Sequence, residues 1–177
     1  MIPRKKINAA AVAILDKFKI KSLPIPVDEI AVKLGAQLKY EPFDANDDMS
    51  GMLFRDGDLV VLGVNSSHTK NRQRFTIAHE IGHLVLHKGD LFVDKTVRLN
   101  RDVNSSLAID PREIEANGFA AELLMPEAWV TSEAQKYLLK NQKASDVALV
   151  EQLAKVFQVS NQAMEIRLSN LGILSPR

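Results

Sequence analysis

Three of the four histidines of this 177-residue chain fall within nine residues, in Ala78-His79-Glu80-Ile81-Gly82-His83-Leu84-Val85-Leu86-His87. On a helix, residues four apart stand one turn above each other. His79 and His83 can therefore converge on one cation, with Glu80 turned toward a water in the cation's open position. This HExxH spacing is that of zinc hydrolases. It points to Zn2+ held by His79 and His83, Glu80 as general base, and peptide hydrolysis as the reaction. His87 continues the spacing, but eight residues of helix put it about 12 Å along the axis from His79, while zinc–nitrogen bonds are about 2 Å. It is expected outside the ligand set, as a histidine favoured by the dipole at the helix C-terminus.

A catalytic zinc site keeps three protein ligands, so one more must come from elsewhere in the chain. Glu113, Glu115 and Glu122 lie downstream on a predicted helix. Asp110-Pro111-Arg112-Glu113 reads as its start, with Asp110 as N-cap, Pro111 at the first helical position and Glu113 closing a capping-box-like arrangement. That use counts against Glu113 as a ligand. Glu115 is the expected third ligand, and a solvated helix carboxylate is the competing reading. His68, Arg74 and Tyr137 are open alternatives for a transition-state donor.

The elements that must position these residues follow from periodicity. Helices are expected over residues 7–19, 28–34, 69–88, 110–125, 126–139, 146–157 and 161–170, and a strand over 36–43. Residues 52–55 and 59–64 read as an antiparallel pair joined through Asp56-Gly57. The strand over 59–64 precedes the histidine helix and could offer its edge to an extended substrate, although an ordinary core strand fits its pattern as well. Residues 44–50 read as an acidic loop, and residues 90–109 as a long connection of a length that is often functional.

Composition narrows the class. Hydrophobic residues make up 46% of the chain, which supports one well-buried core, and charged residues at 25% are too few for a disordered chain. The net charge of +1 gives no global field toward nucleic acid or membrane. With no cysteine, disulfides and thiolate metal sites are excluded, so a metal needs histidine and carboxylate. No apolar run is long enough to span a membrane and no signal-peptide core follows the basic start, so the expected location is cytoplasmic.

Two segments together, Arg74-Phe75-Thr76-Ile77-Ala78-His79-Glu80-Ile81-Gly82-His83-Leu84 and Glu115-Ala116-Asn117-Gly118-Phe119-Ala120-Ala121-Glu122-Leu123-Leu124-Met125-Pro126, resemble the ImmA/IrrE family of HExxH metallopeptidases. The close match covers about residues 50–130. The resemblance implies a zincin-like core, zinc on His79, His83 and Glu115, and Glu80 as catalytic base. It also implies, as in many members, proteolysis of a helix-turn-helix repressor.

Residues 150–168 have the look of a helix-turn-helix, with Ser160 capping its second helix. From Ala144 onward, however, Lys155, Arg167 and Arg177 are balanced by Asp146, Glu151 and Glu165, whereas phosphate contacts need positive charge. Nucleic acid is not expected as a strong partner. The expectation is an α+β protein with a small antiparallel or mixed sheet. Residues 1–140 would form a zincin-like metallopeptidase domain, and residues 141–177 a helix-turn-helix-like segment packed on it. The alternatives are a DNA- or protein-binding regulator with a structural or vestigial metal site, or a toxin-like protease held by an antitoxin.

Overall fold

The computed structural model describes residues 1–43, 49–95 and 110–174. Among them run α1 (Arg4–Lys17), α2 (Val27–Lys33), β1 (Ala36–Glu41), β2 (Met49–Asp56), β3 (Leu59–Asn65), α3 (Lys70–Leu86), β4 (Leu91–Lys95), α4 (Pro111–Leu124), α5 (Glu127–Lys140), α6 (Asp146–Phe157) and α7 (Asn161–Asn170). This is the α+β class, with seven helices and one mixed sheet.

The sheet has the order β1-β3-β2-β4. β1 pairs with β3 in parallel from Ala36↔Val60, and β2 runs antiparallel to both β3 and β4. Because Asp56 still pairs with Leu59, the hairpin loop is Gly57-Asp58, one residue later than the sequence suggests. Gly57 has φ +56°, the left-handed conformation that such a tight turn requires. β3 lies between β1 and β2, so the expectation that it offers an edge to substrate is corrected: both of its edges are already paired. β4 arises within the segment read as a connection. It is a five-residue strand, too short to carry an alternation signal, and pairing with β2 supplies what its sequence lacks. Residues 96–109 of that connection, and residues 44–48 of the acidic loop, lie outside the described residues.

α3 begins at Thr69, whose side-chain oxygen accepts the amide of Arg72. Residues 76–83 are buried without interruption. A helix covered all round needs neighbours on opposite sides, and α3 packs against β2 on one and α4 on the other. Gly82 makes the second contact close. A Cβ there would stand 3.1 Å from Ala116 Cα and 3.2 Å from the Ala116 carbonyl oxygen, so α4 approaches at backbone range. Glu113 and Asn117 flank Ala116 on the same helical stripe and are carried to α3 with it.

One hydrophobic core runs from Ile7 and Ile25 through Leu62, Ile77, Phe119 and Leu123 to Phe157 and Leu168. α6 and α7, capped by Ser145 and Ser160, join it through a turn at Gln158, which has φ +53°. Asn71 of α3 donates to the Val159 carbonyl at 3.0 Å, and Arg74 to that of Gln158 at 3.3 Å. Arg167 points inward from α7, donating to the Met125 carbonyl at 2.9 Å and pairing with the Glu122 carboxylate. Among the described residues, no helix is long and apolar enough to cross a membrane.

Arg167 and Glu122 are each about 4% exposed, so removing one partner strands a buried charge. Arg167→Ala is expected to lower the unfolding free energy by about 3–5 kcal/mol in urea titration. Adding Glu122→Gln neutralises the stranded charge while keeping an acceptor for the Glu127 amide, and should recover part of the loss.

Candidate metal centre

The buried stretch of α3 presents His79 and His83 one turn apart, with their Nε2 atoms 3.0 Å from each other. Glu113 of α4 reaches both. Its Oε2 lies 3.1 Å from His79 Nε2 and its Oε1 lies 3.3 Å from His83 Nε2. Among the described residues, these three form the group whose donor atoms could share one ion. Tetrahedral zinc with bonds of about 2.0–2.1 Å separates neighbouring ligand atoms by about 3.3 Å. The observed separations match that edge.

Protonation states favour the same reading. Burial pushes the His83 imidazole below its ordinary range, outweighing the hydrogen bond to Glu113 that would raise it. Burial alone would raise Glu113, but hydrogen bonds and charge from His79 and His83 hold its carboxyl well below the usual carboxylate range. Neutral imidazole and ionised carboxylate are the ligating forms. His79 Nδ1 lies 3.0 Å from Asn117 Oδ1, an oxygen that only accepts, which favours the ligating tautomer, with a proton on Nδ1 and a lone pair on Nε2 for an ion.

Glu115, the third ligand expected from sequence, is not in this group. Its Oε2 lies 2.9 Å from His87 Nε2, and its Oε1 accepts the backbone amide of Ile2. The carboxylate at the histidines is Glu113, two residues earlier. The reason is helical phase: Glu113, Ala116 and Asn117 share the stripe that meets α3 at Gly82, while Glu115 projects to the side facing Ile2. The capping role assigned to Glu113 is also corrected. Asp110 caps α4 by accepting the Arg112 amide at 2.9 Å, which leaves the Glu113 side chain to turn toward the imidazoles. The available signal was Ala116 and Asn117, three and four residues after Glu113, marking the close face.

Glu80 is fully buried on the same turn as His79. β2 passes close to it through Gly51, where a Cβ would lie 3.1 Å from Glu80 Oε1 and only 2.3 Å from Thr76 Cγ2. Glycine lets the strand approach the acid. Of the open donor candidates, Arg74 is committed to the carbonyls of Ile25 and Gln158, and His68 accepts from Arg72 at 3.3 Å. Tyr137 packs its ring against the core.

Comparison with known proteins agrees with this geometry. Residues 31–169 match the M78 peptidases, described as the IrrE N-terminal-like domain. The chain belongs to the ImmA/IrrE family. It is 34% identical over 125 residues to Metallopeptidase ImmA of Bacillus subtilis (strain 168), an alignment covering 69% of this chain and 62% of that protein. It is 28% identical over 95 residues to "Uncharacterized immunity region protein 2" of Bacillus phage phi105, covering 52% of this chain and 54% of that one. The chain thus spans less than two thirds of the length of either relative. Membership of a metallopeptidase family implies a metal ion, and in this ImmA/IrrE chain His79, His83 and Glu113 supply a donor set that fits one.

The buried, neutral His83 carries a pH consequence. An unfolded histidine titrates at about 6.5, and the folded ring takes a proton only at lower pH. Between those values the unfolded state binds more protons, so stability falls as pH falls. The urea midpoint of metal-free protein should drop between about pH 7.5 and about pH 5.5, and His83→Gln should drop less. Equal slopes in both proteins would contradict a neutral buried His83.

Proposed function

We propose that this chain is a zinc-dependent endopeptidase that hydrolyses a peptide bond in a specific protein substrate, with a helix-turn-helix transcriptional repressor as the candidate. The observation that carries the reading is the convergence of His79 Nε2 and His83 Nε2, 3.0 Å apart, on the Glu113 carboxylate, whose Oε2 lies 3.1 Å from the first and whose Oε1 lies 3.3 Å from the second, with Glu80 buried on the same turn. Each of the three side chains can offer a lone pair, and a shared cation is what a buried set of this kind can hold. The repressor as substrate rests on the family resemblance and on the immunity-region name of the phage relative.

His79, His83 and Glu113 would hold the ion, replacing the set with Glu115. When bound, zinc supplies Lewis acidity at the scissile carbonyl and at the attacking water. Glu80 accepts the proton of that water on its carboxylate and returns it to the departing amine nitrogen. Asn117 orients His79, and packing against β2 orients Glu80. Residues 1–140 would be the zincin-like metallopeptidase domain, and residues 141–177 a helix-turn-helix-like segment serving as its helical buttress. The inward bonds of Arg167 and the contacts of Asn71 and Arg74 at the α6–α7 turn support that division over DNA reading. A cytoplasmic location belongs to the same proposal.

Glu80→Gln should retain zinc by elemental analysis and lose about 10²–10⁴-fold in cleavage of a co-expressed candidate repressor. Glu113→Ala should lose the zinc itself. Full cleavage by Glu80→Gln would overturn the hydrolase reading, and full zinc retention by Glu113→Ala would overturn the ligand set.

A further inference from the structure

His87 and Glu115 are both about 5% exposed at their side chains, and neither belongs to the ligand group. A buried carboxylate and a buried imidazole facing each other are costly unless the pair has a use. Their contacts form one chain: the Ile2 amide donates to Glu115 Oε1, Glu115 Oε2 lies 2.9 Å from His87 Nε2, and His87 Nδ1 lies 3.0 Å from His83 Nδ1. We propose that Glu115 and His87 form a positioning relay for His83, fixing its tautomer and ring orientation so that its Nε2 is bare and faces Glu113 and His79. The proposal rests on the metal reading above and adds to it two residues that touch neither ion nor substrate.

Proton counting carries the inference. An ionised carboxylate only accepts, so the proton between Glu115 and His87 sits on His87 Nε2. The other oxygen of Glu115 already accepts the Ile2 amide, so the carboxylate faces a donor at each oxygen. An imidazole whose one ring proton is on Nε2 can only accept at Nδ1. The 3.0 Å contact between the two Nδ1 atoms needs one proton, and His83 must supply it. With its proton on Nδ1, His83 has a lone pair on Nε2, the atom that lies 3.0 Å from His79 Nε2 and 3.3 Å from Glu113 Oε1. Carboxylate–histidine pairs behind a metal ligand fix its tautomer and raise its basicity, and here one further imidazole is interposed.

The surroundings hold the relay in place. α3 ends at Leu86, and His87 leaves it in an extended conformation, φ −120° and ψ 152°. Arg55 of β2 clamps that exit, donating to the His83 carbonyl at 3.1 Å and the His87 carbonyl at 3.0 Å. Phe92 stacks on the His83 ring with centroids 4.5 Å apart. His79 reaches the same tautomer by a single step, through Asn117.

The test uses the full chain loaded with zinc and labelled with 15N at histidine. Long-range 1H–15N correlation spectra should show His87 protonated at Nε2 and bare at Nδ1, and His83 protonated at Nδ1. Zinc affinity, measured by competition with a chromophoric chelator, should fall about 10–100-fold in His87→Ala and in Glu115→Ala. The double variant should bind no more weakly than His87→Ala, because Glu115 acts through His87. Glu115→Gln, whose one carbonyl oxygen can still accept from His87 while its amide nitrogen faces the Ile2 N–H, should lose less than Glu115→Ala. A proton on His87 Nδ1, wild-type zinc affinity in His87→Ala, or losses that multiply in the double variant would each overturn the relay. The spectra of the unmutated protein decide the matter even if a variant fails to fold. Wild-type protein that takes up no zinc would instead overturn the metal reading on which the relay rests.

Discussion

Two imidazole nitrogens and the two oxygens of one carboxylate meet at contacts of 3.0–3.3 Å in the interior of this protein. With a lone pair on each nitrogen, as a ligand set requires, the imidazoles and the carboxylate repel, and low polarity around them strengthens the repulsion. A cation reverses the sign of that interaction. The close helix pair, the tied outer nitrogens and the pinned acid beside His79 can all be understood as what is needed to hold this donor set against its own repulsion.

Backbone proximity provides the holding force. Gly82 against Ala116 sets the spacing of α3 and α4, and Gly51 against Thr76 sets that of α3 and β2. Each contact does more than bury surface. The first carries Glu113 and Asn117 to the two histidines, and the second confines the Glu80 carboxylate. Interiors are packed densely enough that displacement at either point would be transmitted to the site. For a member of the ImmA/IrrE family, small residues at these positions therefore have a chemical consequence beyond packing.

The C-terminal helices illustrate how a familiar outline can serve another purpose. α6 and α7 have the lengths and turn of a DNA-reading pair, yet Arg167 of α7 is buried on Glu122, and the turn carbonyls are taken by Asn71 and Arg74 of α3. Positive charge directed inward is unavailable to phosphates. These contacts link the tail to the first turns of the helix that bears the histidines.

What could be read from the chain alone was whatever depends on neighbours within a few residues. The helices came from period and caps such as Asp110, Ser145 and Ser160, and the facing of His79 and His83 came from the pitch of a helix. The placement of His87 outside the ion's reach followed from helical rise, although its burial between Glu115 and His83 did not. What the tertiary structure alone decided was the partner of each such residue across elements. In one dimension the capping pattern set Glu113 aside in favour of Glu115, and only the rotational phase at which α4 meets Gly82 sends the first to the imidazoles and the second to His87 and Ile2. Strand β4 and the interior position of β3 were hidden for the same reason. Hydrogen bonding between distant segments, rather than any local preference, determines which strands are edges and which residues meet.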